Sequence, residues 1–392
     1  MKVENRLDPY ISELKKLLTP FYFYEMDLLE KTLIKASEVS KKYKYHIHYA
    51  LKANVNEKLL KRLIANNFGA DCVSGNEIKR AIDAGFNPAN IAFAGVGKTD
   101  SEINFALEND IFCFNVESIQ ELEVINELAN NKNKIASIAL RINPNVNANT
   151  HEYITTGLEE NKFGINFWEL TEVCSKLKTL KNLNLLGLHF HVGSQITDMS
   201  VFKNLCTRIN EFQLYFAERN FKFSIVNVGG GLGIDYYSPE KNSIPDFEEY
   251  FSIFDQFLTK YPGQSVHFEL GRSLIAQCGT LISSITFIKK GLKTNFAILD
   301  AGMTELLRPA LYQAYHKIEN ISSDSEKQIL YDVVGPVCES SDCFGKAVLM
   351  PESFRNDLIA IYSTGAYGEV MASRYNLREE TRSFYSDEMV LK

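Results

Sequence analysis

Nowhere in this 392-residue chain do eighteen apolar residues run together, and no apolar core follows the start Met1-Lys2-Val3-Glu4-Asn5-Arg6-Leu7-Asp8. Neither a membrane-crossing helix nor a signal peptide is expected, which places the protein in the cytoplasm and away from membranes. The seven cysteines (72, 113, 174, 206, 278, 338 and 343) contain no C-x-x-C pair, so free thiols are expected rather than a disulfide framework. Dense Lys/Arg clusters are missing, and the net charge is −7, which argues against nucleic acid as a partner. Linkers, repeats and low-complexity tracts are also lacking.

What is present suits two ordinary domains, with 45% hydrophobic residues to build their cores. Short β-branched or aromatic runs fall near 46–52, 69–74, 90–95, 111–117, 135–143, 184–192, 224–229 and 265–270. Between them lie helix-like stretches such as Leu59, Leu60, Leu63, Ile64 and Ile119, Leu122, Ile125, Leu128. Eight strands joined by helical crossovers predict an α/β fold, a (β/α)8 TIM-like barrel over 27–272. From 273 to 392 the texture becomes short and alternating, as in 280–287, 295–299 and 357–362, which predicts an all-β domain of antiparallel β-sandwich or Greek-key type. The strand-like Leu18–Tyr24 finds no free edge in a barrel, so segment 1–26 is assigned to that second domain.

A barrel of this kind gathers the carboxyl ends of its strands into one mouth. There the strand positions place Lys52, Ser74, Asn115, Arg141, Asn143, His191, Ser194, the glycines 229–231, Glu269 and Arg272. A lysine at a strand end is a candidate imine former. The run Gly229-Gly230-Gly231-Leu232-Gly233 could present backbone N–H groups to a phosphate or serve only as a tight turn; it matches neither G-x-G-x-x-G nor a P-loop. Glu269, an acid on an apolar strand, needs a partner, either a ring nitrogen or an ion pair with Arg272. The pairs His46-x-His48 and His189-x-His191 raise a metal site, but the first pair falls deep in the barrel, so core histidines are favoured, no metal is expected, and His191 is read as stacking or hydrogen bonding.

Several motifs then resemble one family in order. Tyr49-Ala50-Leu51-Lys52-Ala53-Asn54, Gly69-Ala70-Asp71-Cys72-Val73-Ser74-Gly75, Asn115-Val116-Glu117-Ser118, Leu140-Arg141-Ile142-Asn143-Pro144, Lys162-Phe163-Gly164, His189-x-His191-Val192-Gly193-Ser194-Gln195 and the glycine run are similar to those of fold-type III pyridoxal-phosphate decarboxylases, whose barrel is alanine racemase-like. Asp300-Ala301-Gly302-Met303, Leu307-Arg308-Pro309-Ala310-Leu311-Tyr312, Gly335-Pro336-Val337-Cys338-Glu339-Ser340-Ser341-Asp342 and Gly365-Ala366-Tyr367-Gly368 resemble the diaminopimelate decarboxylase branch.

The resemblance implies pyridoxal 5′-phosphate as cofactor, with Lys52 as its covalent anchor and Glu269 on its ring nitrogen. His191 then lies against the ring, while Ser194, Gly230, Gly231, Gly271, Arg272 and Tyr367 take further cofactor contacts. It also implies Cys338 as proton donor, and Arg272, Arg308, Tyr312, Glu339 and Tyr367 around an amino-acid substrate. In the family two subunits pair head to tail, which makes a homodimer with Cys338 and Glu339 shared across the interface the expectation. The implied reaction converts meso-2,6-diaminopimelate to L-lysine and CO2. Decarboxylation of ornithine, arginine or carboxynorspermidine ranks second, ahead of a metal-dependent barrel hydrolase or a non-catalytic relative. Three positions depart from the family pattern: Leu270 replaces a proline, Asn356 a frequent glycine and Glu379 a frequent proline.

Overall fold

The structure is a computed structural model that describes residues 6–146 and 162–389. Its strands are β1 (Phe21–Tyr24), β2 (Tyr45–Ala50), β3 (Gly69–Cys72), β4 (Ile91–Phe93), β5 (Cys113–Val116), β6 (Ala136–Arg141), β7 (Leu183–His189), β8 (Ile225–Asn227) and β9 (Ser265–Leu270). They continue as β10 (Gly279–Lys290), β11 (Asn295–Leu299), β12 (Ile318–Asn320), β13 (Gln328–Val334), β14 (Cys343–Pro351), β15 (Leu358–Ile361) and β16 (Arg382–Tyr385). Strands β2 to β9 form a closed barrel of parallel neighbours, sealed by β2 against β9 with Tyr45 opposite Val266 and Tyr49 opposite Leu270. The eight strand-like runs read from the sequence are these eight strands.

Local chemistry starts the helices on the barrel's exterior. Ser74 accepts from the Glu77 N–H at the head of helix Gly75–Ala84, Ser118 does the same for Glu121 in Ile119–Asn131, and Thr99 with Glu102 forms a capping box for Asp100–Glu108. Ser74 at the mouth is thus held by a structural task. On β9 the alternation is decisive: Phe268 faces outward into the rings of Tyr45, Tyr250, Phe251 and Phe254, with centroids 4.8 to 5.6 Å away. Its neighbour Glu269 is thereby turned into the barrel.

Contacts divide the chain into two compact units, one of residues 33–233 and 246–271, the other of the described parts of 1–32, 234–245 and 272–392. The second unit holds a sheet in the order β12-β15-β10-β11-β13-β14, with β1 on β10 and β16 on β1. The amino-terminal strand therefore joins this sheet. β10 serves both halves: residues 281–284 pair with β15 and residues 285–290 with β11, across a register shift between Ile285 and Phe287. This sheet is mostly antiparallel, as expected, with β1/β16 and β11/β13 its two parallel pairs. Parallel neighbours need long connections, and both pairs are joined through many intervening residues. Phe21, Phe23, Ile282, Leu358 and Tyr362 anchor the core against Leu7 and Leu14. Asn356 has φ of +71°, so its frequent glycine counterpart is replaced by a residue that tolerates the left-handed region. No helix among the described residues is long and apolar enough to cross a membrane.

Candidate active site

Lys52 lies on the 3-10 turn Leu51–Ala53 directly after β2, with Nζ 3.6 Å from Asp71 Oδ2 on the adjacent β3. Neither Asp71 oxygen makes a hydrogen bond among the described residues, and the side chain is almost fully enclosed. Burial, together with the charge of Glu269, pushes the Asp71 carboxyl well above its ordinary range despite the pull of Lys52. Glu269 is the opposite case. Its Oε1 accepts from Asn115 Nδ2 at 3.0 Å and Asn227 Nδ2 at 2.7 Å, and its Oε2 lies 2.9 Å from His189 Nε2. Burial opposes ionisation, but the His189 contact outweighs it and holds Glu269 below the usual carboxylate range. Of two buried acids in one barrel, Glu269 is the one whose charged form the three donors favour.

His191 stands past the end of β7, partly exposed yet crowded by protein. The Gly230 N–H approaches His191 Nδ1 at 3.3 Å, which makes Nδ1 an acceptor and puts the ring hydrogen on Nε2. Burial, then the charges of Lys52 and Arg141, push the imidazole well below its usual range, so it is neutral. Gly229 and Gly231 have φ of +74° and +110°, and a Cβ on Gly230 would sit 2.0 Å from the Glu269 carbonyl oxygen. The glycines thus let the loop lie against β9 as well as leaving amides accessible. Ser194 is half-buried in the preceding loop, and Gly271 closes β9 beside it in sequence. Arg141 donates to Glu117 Oε1 at 2.7 Å, and Glu117 also accepts from the N–H groups of Gly95 and Gly164, which ties three mouth loops together.

At the other end of the barrel His48 Nδ1 meets the Asn90 carbonyl at 3.1 Å, so it carries the hydrogen. His48 Nε2 then accepts from His267 Nδ1 at 2.9 Å, and His267 Nε2 accepts from Ser265 Oγ at 2.8 Å. These rings stack with Phe112 and, through His267, with His46. His48 and His267 spend their nitrogens on one another and on neighbours, and among the described residues no group of three or more His, Cys, Asp or Glu is arranged to hold a metal.

The second unit brings together Arg272, Arg308 and Tyr367. Arg272 Nη1 donates to Tyr236 Oη at 2.6 Å and its guanidinium lies 4.8 Å from the Tyr367 ring centre. The Arg308 guanidinium stands 5.1 Å over the Tyr236 ring. Both arginines are buried. Burial would raise the Tyr236 phenol, but the two guanidiniums reverse this and hold it below its usual range. Tyr367 has φ of +58°, a conformation a bulky side chain adopts only when its surroundings impose it. Tyr312 ends helix Arg308–Tyr312 and is half-buried. Cys338 and Glu339 lie exposed on the turn between β13 and β14, shaped by Asp342, which accepts from the Val337 and Met303 N–H groups. Glu339 Oε1 accepts from Tyr375 Oη at 2.8 Å.

Sequence reasoning missed the Asp71 carboxyl beside Lys52, the clamp of His189 and Asn227 on Glu269, and Tyr236 with His316 around the arginines. For Asp71 a signal existed: an acid inside the apolar strand Gly69–Cys72 demands an explanation just as Glu269 does.

A closed parallel barrel with a lysine at its mouth and two buried carboxyls, Asp71 and Glu269, is an architecture suited to a pyridoxal-phosphate enzyme. Residues 27–276 match the family model for the pyridoxal-dependent decarboxylase, pyridoxal binding domain. The chain is 55% identical to the diaminopimelate decarboxylase of Bacteroides thetaiotaomicron, over 97% of this chain and 98% of that protein. It is 41% identical to one from Helicobacter pylori, over 92% and 88%. The crystal structure of the Helicobacter pylori diaminopimelate decarboxylase complexed with L-lysine superposes with a TM-score of 0.91 at 39% identity, covering 97% and 94% of the two chains. An arginine decarboxylase of Paramecium bursaria Chlorella virus shares the fold alone, at 22% identity and a TM-score of 0.85. The chain therefore belongs to the diaminopimelate decarboxylase family of pyridoxal-dependent decarboxylases.

The residues present fit that cofactor. Asp71 has two buried oxygens without hydrogen-bond donors, and Glu269, with about four acceptor sites on its two oxygens, has used three. One acceptor position on Glu269 therefore remains for a ring N–H.

Proposed function

We propose that the chain decarboxylates meso-2,6-diaminopimelate to L-lysine and CO2, the last step of lysine biosynthesis, in the cytoplasm with pyridoxal 5′-phosphate as cofactor. The observation that carries this reading is the Lys52 amine beside the Asp71 and Glu269 carboxyls, one of them ionised, at a single barrel mouth. In this reading 27–272 is the cofactor-binding barrel, and 273–392 with 1–26 is its companion.

When bound, pyridoxal phosphate supplies an electron sink for the bond that breaks at the substrate α-carbon. Lys52 would hold it through its side-chain amine. Glu269, held in its charged form by His189, Asn115 and Asn227, would favour a protonated ring nitrogen. The neutral His191 would stack on its ring, Ser194, Gly230, Gly231, Gly271 and Arg272 would bind its phosphate, and Tyr367 would add a contact. Arg272, Arg308, Tyr312, Glu339 and Tyr367 receive the substrate: arginine grips a carboxylate in two places, and Glu339 accepts from an ammonium. Cys338 returns a proton to the α-carbon. Its exposed turn makes it accessible to a second copy of the chain, which supports a homodimer whose sites each take Cys338 and Glu339 from the partner.

Turnover of meso-diaminopimelate by the purified protein with added pyridoxal phosphate tests the reading. L-lysine and CO2 should appear in equal amounts; binding of the cofactor with no turnover would redirect it to another amino acid, and faster use of ornithine or arginine would reverse the order of substrates.

A further inference from the structure

His316 lies four residues beyond the helix that carries Arg308 and is 1% exposed. Its Nδ1 is 2.8 Å from the Tyr362 carbonyl oxygen. A carbonyl only accepts, so Nδ1 bears the hydrogen. Burial, then the charge of Arg308, holds the ring well below its usual range, so it is neutral and Nε2 is an acceptor. Arg308 Nη1 donates to that nitrogen at 2.7 Å. Tyr236 completes the bracket, with its ring beneath the Arg308 guanidinium and the His316 imidazole edge-on at 5.0 Å.

The identity of these partners matters more than their number. A carboxylate would hold Arg308 equally well but would neutralise it. An imidazole without charge fixes the guanidinium and leaves its positive charge and most of its five donors for another anion. Among the described residues no carboxylate lies within ion-pair distance of Arg308. Burying an arginine against neutral partners is unfavourable for folding alone, because a buried charge is most cheaply compensated by an opposite one. That cost is understandable if the compensating anion is a ligand.

We propose that His316 is a positioning residue, holding Arg308 in one orientation with its charge uncommitted so that it receives the distal carboxylate of the substrate. Sequence alone gives no hint of this, since the proton placement that makes His316 an acceptor is set by a carbonyl 46 residues away. The proposal rests on the reading that Arg308 contacts substrate, and the experiment separates the two.

The holoenzyme would be compared with His316→Phe, His316→Gln and Arg308→Lys. Glutamine keeps an acceptor for Arg308 and a donor for the Tyr362 carbonyl, whereas phenylalanine keeps neither. His316→Phe should raise KM for diaminopimelate about tenfold or more while kcat changes by less than about threefold, and His316→Gln should recover most of the loss. Competition by L-lysine, which retains the distal amino-acid group, should weaken in parallel; competition by 1,5-diaminopentane, which has no carboxylate, should not. Equal loss with both competitors, failure of the glutamine rescue, or an unchanged KM would overturn the positioning role. If Arg308→Lys leaves KM and lysine competition unchanged, the substrate role of Arg308 itself falls. Should His316→Phe not fold, His316→Leu removes the acceptor in a smaller volume and gives the same comparison.

Discussion

His189 Nε2 and Glu269 Oε2 face each other at 2.9 Å inside the barrel, both closed off from solvent. Asn115 and Asn227 hold the other oxygen, so the carboxylate has no freedom to rotate or to take a proton at ordinary pH. Glu269→Gln preserves the shape, removes the charge and turns an amide N–H toward one of three donors. A fall in kcat of about a hundredfold or more is expected, by analogy with loss of one preorganised charge contact in an active site. Steady-state kinetics with saturating cofactor measures it, and an unchanged kcat would remove Glu269 from the chemistry.

Glu25 gives a pH dependence of stability that has nothing to do with catalysis. Arg6 Nε lies 2.9 Å from Glu25 Oε2, but neither atom forms an aligned hydrogen bond, and burial wins: the acid is raised from 4.5 to about 7. The folded chain keeps a proton that the unfolded chain releases. The contribution is therefore complete below about pH 4.5 and is lost as pH rises through about 7, a change of about 3 kcal/mol. Denaturant unfolding of wild type and Glu25→Gln across this window should show the variant with the flatter curve; identical slopes would mean that Glu25 titrates at its ordinary value.

Gly230→Ala separates packing from ligand binding in the glycine loop. The new Cβ would fall 2.0 Å from the Glu269 carbonyl, so β9 or the loop must move. A loss of about 1–3 kcal/mol, the usual range for overpacking, is expected even in cofactor-free protein. Thermal unfolding without pyridoxal phosphate reads this directly, and an unaltered melting temperature would show that the loop yields freely.

Mixing inactive Lys52→Ala with impaired Cys338→Ala subunits should raise activity above that of either alone, because one site of each mixed dimer receives both intact residues. Each variant alone should lose several orders of magnitude in rate for Lys52 and less for Cys338, whose proton water can replace slowly. No recovery on mixing, in a sample shown to exchange subunits, would count against the shared site.

The barrel was readable because its signals are local. A run such as Tyr45–Ala50 bounded by polar breaks, a serine three residues before Glu77, and a lysine at a strand end each follow from neighbours in the chain. The barrel's closure fits too, since eight such units of similar length have few other ways to bury their faces. The second unit was less legible: β1 pairs in parallel with β16, more than 350 residues later, and nothing near either strand specifies that partner.

By itself the sequence determined which residue types were available at the mouth, because strand periodicity alone sets whether Lys52, His191 and Glu269 lie at strand ends. Only the tertiary structure decided their states. Asp71 and Glu269 are both acids on apolar strands, yet three donors from β5, β7 and β8 converge on Glu269 and none on Asp71. Burial penalises either charge, and the donors that offset it come from strands distant in the chain, so ionisation at this site is a property of the closed barrel.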